Sequence, residues 1–126
     1  RSIRQRVAHS FPSRGRSGQD QPAMRILALS CAEDEFAEAV DYYNEQRPGL
    51  GFEFAGEVQR TFERIRHHPE AWPVFSCRAR RCLTDRFPFG VLYQVRSDCI
   101  LVGAIMHLKR DPTRWQQRVA EAFDKR

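Results

Sequence analysis

Apolar and polar residues change their spacing several times along this chain. Met24 to Ser30 reads MRILALS, a nearly continuous apolar run of strand length. Helical spacing follows: Phe36, Val40 and Tyr43 share one face with Ala39 beside them, predicting a helix from Ser30 to about Gln46. Ser30 with Glu33 three residues on has the capping-box pattern. An acidic first turn suits the positive end of the helix dipole. Pro48 disfavours helical geometry at Arg47, which sets the stop. Pro48-Gly49-Leu50-Gly51 is a tight connector. A second helix runs from about Phe52 to His67, with the stripe Phe54, Val58, Phe62 and Ile65 and a charged face of Glu57, Arg60, Glu63 and Arg64. A link this short predicts an antiparallel helical hairpin.

Beyond Trp72-Pro73 the period turns to that of strands. A short strand is expected at Val74 to Cys77 and another at Arg80 to Arg86. The strongest are Phe89 to Arg96 and Cys99 to His107, joined by the two-residue turn Ser97-Asp98. Ile100 to Ile105 is apolar on both faces, as a central strand is. Pro112 suits the first turn of a last helix, whose stripe is Trp115, Val119 and Phe123. The expected fold is α+β in the order β-α-α-β-β-β-α: a helical hairpin packed on a small, mainly antiparallel sheet. No internal repeat is visible.

Length and charge refine this picture. The 126 residues suffice for one domain and hardly for two. Residues 1–23 hold five Arg and one Asp with few large apolar groups, which predicts a flexible basic tail. Met24 fits a natural start, which would make residues 1–23 an upstream extension; a nucleic-acid-binding arm is the functional alternative. Residues 24–126, the single expected domain, carry 16 basic and 15 acidic groups, so the net charge of +5 lies mostly in the tail. The domain is polarised instead. Glu33, Asp34, Glu35, Glu38, Asp41 and Glu45 cluster without a base, whereas Arg78, Arg80, Arg81 and Arg86 face only Asp85. No apolar run reaches membrane-span length and no apolar h-region follows the basic start, so the default expectation is cytoplasmic, with no membrane partner. Cys31, Cys77, Cys82 and Cys99 form no CxxC pair and have no histidine at zinc-finger spacing; they read as reduced, buried small hydrophobes, with no metal.

One order of residues is specific in combination. It comprises an acidic helix ending in Asp41-Tyr42-Tyr43, then Pro48-Gly49-Leu50-Gly51-Phe52 and Phe54 to Glu57. Ile65, Pro69, Trp72-Pro73 and Arg80-Arg81 follow. Phe87-Pro88-Phe89 with Tyr93, and His107-Leu108-Lys109-Arg110-Asp111-Pro112 with Trp115, complete it. In this the chain resembles the RelE/ParE superfamily of bacterial type II toxins over about residues 24–115. The resemblance implies a cytoplasmic toxin of a plasmid-stabilisation type toxin–antitoxin module, neutralised by a cognate antitoxin. RelE-like members cleave mRNA on the ribosome; ParE-like members inhibit DNA gyrase without known nuclease chemistry.

Metal-free RNA cleavage needs a base for the 2′-OH, cations for the phosphate charge and an acid for the leaving oxygen. RelE-like toxins carry an arginine just before an apolar-apolar-Tyr pattern; here Gly90 precedes Val91-Leu92-Tyr93. A glycine supplies no charge, so the reading favours the ParE-like branch: a toxin that binds a protein target such as gyrase. The alternatives are a ribosome-dependent mRNA endonuclease and a non-toxic, decayed or complex-forming member. Nuclease candidates would be Arg80, Arg81, Arg86, His107 and Arg110. Partner-binding candidates are Arg78, Arg80, Arg81, Arg86, Lys109 and Arg110. Against these stand plainer roles: Arg80 and Arg81 on a solvated strand face, His107 packed at a strand end, Arg110 ion-paired. Tyr93, Trp72 and Trp115 read as packing residues, and His67 and His68 as partners of helix-terminal carbonyls. No Gly-rich phosphate loop, paired-carboxylate hydrolase pattern or nucleophile elbow is present, and no cofactor is implied.

Overall fold

The computed structural model describes residues 7–10, 24–76, 78–109 and 112–123, with only the backbone at 7–10, 75 and 76. The elements are β1 (Val7–Ser10), β2 (Arg25–Leu29), α1 (Ser30–Gln46), α2 (Leu50–His67), β3 (Val74–Ser76), β4 (Ala79–Leu83), β5 (Phe89–Val95), β6 (Cys99–His107) and α3 (Pro112–Phe123). From β2 to α3 this is the expected α+β order, with the short β3 included. Among the described residues the six strands form one sheet, β1-β2-β6-β5-β4-β3. Only β2 and β6 are parallel; the other pairs are antiparallel. The pairing of Val7–Ser10 with β2 lies inside the segment expected to be a flexible tail, and places a strand there that periodicity did not indicate.

β6 is the centre. Its residues from Cys99 to Met106 are all buried, because helices cover both sheet faces. On one face the helical hairpin contributes Phe54, Val58, Phe62 and Ile65 against Ile26, Val91, Tyr93 and Ile105. On the other, Trp115 and Val119 of α3 pack on Ala79, Leu92, Ala104 and Met106, with Phe123 beside them. The stripes read from the sequence are therefore the contact faces. Tyr93 is fully buried, and its hydroxyl donates to the Pro69 carbonyl at 2.7 Å, the partner a buried phenol requires.

Helix boundaries follow local chemistry. Arg47 before Pro48 is extended, at φ −160° and ψ 128°. Gly49 takes φ +89°, a left-handed conformation suited to glycine, and starts α2 at Leu50. At Gly51 a side chain would collide with the Val40 carbonyl, so the glycine lets the two helices close on each other; its N–H donates to Asn44 Oδ1 at 2.8 Å. The capping box expected at Ser30 does not form. β2 feeds straight into α1, so Leu29 occupies the cap position and Ser30 is already helical. The strand expected at Arg80 to Arg86 is Ala79–Leu83, because the chain turns at Thr84, whose N–H donates to Phe89 O at 3.0 Å.

Candidate functional site

Side chains alternate along β4, and that alternation divides the arginines. Ala79 packs under α3 and Cys82 under the hairpin, so Arg81 and Leu83 lie on the α3 face and Arg80 on the hairpin face. The Arg80 guanidinium donates to the carbonyls of Trp72 at 2.7 Å and Glu70 at 3.2 Å, tying down the turn after α2. The Arg81 guanidinium lies 5.1 Å from the centre of the Trp115 ring, a cation–π contact. Arg86, on the loop between β4 and β5, pairs with Glu53 at 3.0 Å and lies 5.0 Å from the Phe87 ring centre.

His107 closes β6. Its ring meets Phe89 edge-on, with centroids 5.2 Å apart, and its Nδ1 accepts the Lys109 N–H at 3.0 Å. That bond makes Nδ1 an acceptor in the described geometry and leaves the proton of the neutral ring on Nε2. Arg80 aligns through Tyr93 with Val102, five residues along β6 from His107, or roughly 16 Å at strand rise. Arg81 is on the other face. The nuclease candidates thus do not converge: Arg80 and His107 share the hairpin face well apart, and Arg81 lies on the other. Arg78 is exposed, at φ 61°, in the turn before β4, and Lys109 is exposed. Arg110 lies outside the described residues.

Gly90 sits at the junction. A Cβ there would stand 3.1 Å from the Trp115 indole, 3.4 Å from Arg81 Cγ and 3.4 Å from Leu108 Cδ2. A side chain at this position would press on the indole of α3 and touch Arg81 and Leu108. Around it, Leu83 (45% exposed) and Leu108 (36% exposed) are large apolar side chains left facing solvent. Arg81 lies with them on the α3 face, and Lys109 adjoins Leu108 in sequence. Apolar groups bordered by cations suit an amphipathic acidic partner. The sequence reading included Arg81 and Lys109 but missed the two leucines. Leu83 falls within the strand expected at Arg80 to Arg86, and its exposure follows from packing between elements, not from a local pattern.

Glu57 belongs to the charged face expected for α2, yet it is buried, 1% exposed. Its carboxylate accepts the Asp85 N–H and pairs with Arg60 at 3.2 Å. Burial pushes its pKa up, but the hydrogen bonds from the Asp85 and Arg86 backbone and from Arg60 outweigh this and hold it below the ordinary carboxylate value. Glu57 therefore latches the loop that presents Arg86. The signal for this lies in no local pattern, since the partners are 28 residues apart.

At the opposite side of β6, Glu35 of α1 accepts the Ile105 N–H at 3.0 Å and pairs with Arg118 of α3. Arg118 also donates to Gly103 O at 2.8 Å and contacts Cys31 Sγ at 3.1 Å. Burial opposes the Arg118 charge, but Glu35 and Cys31 offset it and raise its pKa further. Beyond this bridge lies a cleft of about 370 Å³ between α1 and β6. Cys82 and Cys99 are buried and their thiol pKa values are pushed up by burial; Cys31 is half-buried, and Cys77 lies outside the described residues. Among the described residues no group of three or more His, Cys, Asp or Glu is placed to hold a metal ion, and no helix is long and apolar enough to cross a membrane.

Comparison of the chain with protein-family models and with curated proteins finds no match.

Proposed function

We propose that this protein is the toxin of a type II toxin–antitoxin module, neutralised by a cognate antitoxin, and that it acts by binding and inhibiting a protein target such as DNA gyrase. The observation that carries the non-nuclease reading is the scatter of the candidate groups: Arg80 and His107 lie roughly 16 Å apart along the sheet, and Arg81 is on the other face. Phosphoryl-transfer chemistry without a metal needs cations and a proton acceptor converging on one phosphate. Arg80 is committed to two backbone carbonyls and Arg81 stacks on an indole on the far face from His107. That division gives the mRNA endonuclease reading less support than the binding reading.

For the antitoxin, the fitting chemistry is a segment with apolar residues for Leu83 and Leu108 and carboxylates for Arg81 and Lys109. A segment of this kind orders on binding. The test is induction of the chain in a bacterial host with transcript 5′ ends and plasmid supercoiling read together. Lost supercoiling with intact transcripts is the expected result. Cuts within translated codons would establish the nuclease reading, and unaltered growth would favour a complex-forming protein without toxicity.

A further inference from the structure

β2 pairs with β6 only from Arg25↔Cys99 to Ala28↔Val102. Past that point side chains take up backbone groups of the β6 margin. Arg118 donates to Gly103 O at 2.8 Å, and Glu35 accepts the Ile105 N–H at 3.0 Å. A strand added to this margin would have to displace both. The cleft of about 370 Å³ next to the bridge therefore suits a compact ligand better than an extended chain. Small-molecule sites commonly enclose roughly 300–1,000 Å³.

Three kinds of surface meet in this cleft. Its floor is apolar and buried: Phe89, Ile105 and Met106. On the α1 wall stand Tyr42, 56% exposed, and one helical turn before it the exposed Glu38. At the end of β6 stand His107 and the exposed Lys109. The Lys109 N–H donates to His107 Nδ1 at 3.0 Å, which ties the backbone carrying the ammonium to the strand end. Glu35, the other carboxylate in the lining, is engaged by Arg118 and the Ile105 N–H. Glu38 and Lys109 thus bring one charge of each sign to an apolar floor. A ligand with a single charge would meet a like charge on one of the two walls. An apolar body that carries both an ammonium and a carboxylate is complementary to both.

We propose that the cleft between α1 and the end of β6 is a binding site for a zwitterionic amino acid with a large apolar side chain. The side chain lies on Phe89, Ile105 and Met106 beside the Tyr42 ring. The ligand carboxylate meets the Lys109 ammonium, and the ligand ammonium meets the Glu38 carboxylate. Both protein charges sit at the ends of long, exposed side chains, so they can close over the adjacent charged groups of an amino acid. This inference does not rest on the toxin reading.

Titration of the full chain, followed through its amide chemical shifts, tests it. The probes are L-phenylalanine, hydrocinnamate (the same body without the ammonium), phenethylamine (without the carboxylate) and the uncharged N-acetyl-L-phenylalaninamide. L-Phenylalanine should shift the amides of Ile105 to Lys109 and bind at least about fivefold tighter than each of the others, the effect of one partly exposed charge contact. Lys109→Ala should weaken L-phenylalanine and hydrocinnamate by about the same factor and spare phenethylamine. Glu38→Gln should weaken L-phenylalanine and phenethylamine and spare hydrocinnamate. Both positions are exposed, and circular dichroism checks the folding of each variant. Absence of shifts at these amides with L-phenylalanine overturns the proposal, as does binding that neither substitution weakens. Binding of the uncharged amide as tight as that of the amino acid also overturns it, because the cleft would then take a side chain within a polypeptide.

Discussion

Glu57 and Gly90 carry opposite lessons about single positions. Glu57 is a buried charge whose value lies in what it holds: the Asp85 N–H, Arg60 and, through them, the Arg86 loop. Replacing it by Gln removes the charge and weakens these bonds. Glu57→Gln should cost about 1–3 kcal/mol in chemical denaturation near neutral pH. Its folded pKa lies below the ordinary 4.5, so its stabilisation is fully present above that unfolded value and is lost as pH falls through the folded value. The gap between wild type and variant should narrow with acidification below about pH 4.5; a gap independent of pH would contradict the latch. Gly90 is the reverse case, a position without a side chain where a Cβ would stand 3.1 Å from the Trp115 indole. Gly90→Arg should displace the Trp115 indole and lower stability by about 1–3 kcal/mol, seen as a lower Tm and a changed near-ultraviolet dichroism. Neither role was legible locally. A glycine in a strand reads as a missing charge until the residue across the sheet face is known, and a glutamate on a helix reads as solvated until a loop from elsewhere closes over it.

Elements were far more legible, because each is set by contact periodicity. The stripes of α2 and α3 and the two-sided apolar run of β6 all became packed faces. Signals failed where pairing, not pattern, decides. Ser30 did not cap α1, since β2 enters the helix without an intervening turn. Val7–Ser10 has too little apolar periodicity to stand out, and its strand exists because β2 offers an edge. The bridge joining α1, β6 and α3 is also invisible in sequence, with Glu35 and Arg118 on different helices. Removing either partner leaves a buried group of the other without its match. A double-mutant cycle on Glu35→Gln and Arg118→Met should give a coupling of about 1–3 kcal/mol, whereas additive effects would mean that α3 is held by Trp115, Val119 and Phe123 alone.

At the scale of the whole molecule the charges separate. The acidic α1 belongs to the hairpin face of the sheet, and Arg81 with the exposed Leu83 lies on the α3 face. Two such surfaces suit recognition more than catalysis, since the candidate acid, base and cations are dispersed over them. If Leu83 and Leu108 form the centre of the partner surface, Leu83→Glu or Leu108→Glu should weaken growth inhibition or antitoxin capture by about ten- to a hundredfold while leaving Tm nearly unchanged, as loss of an interface anchor does. Unchanged toxicity and capture would move the partner surface elsewhere. The most direct measurement is titration of the purified protein into a DNA gyrase supercoiling reaction, with a ribosome-programmed mRNA assayed in parallel. The account predicts dose-dependent loss of supercoiling and an uncut mRNA. Unaffected gyrase with mRNA cut on the ribosome would contradict it.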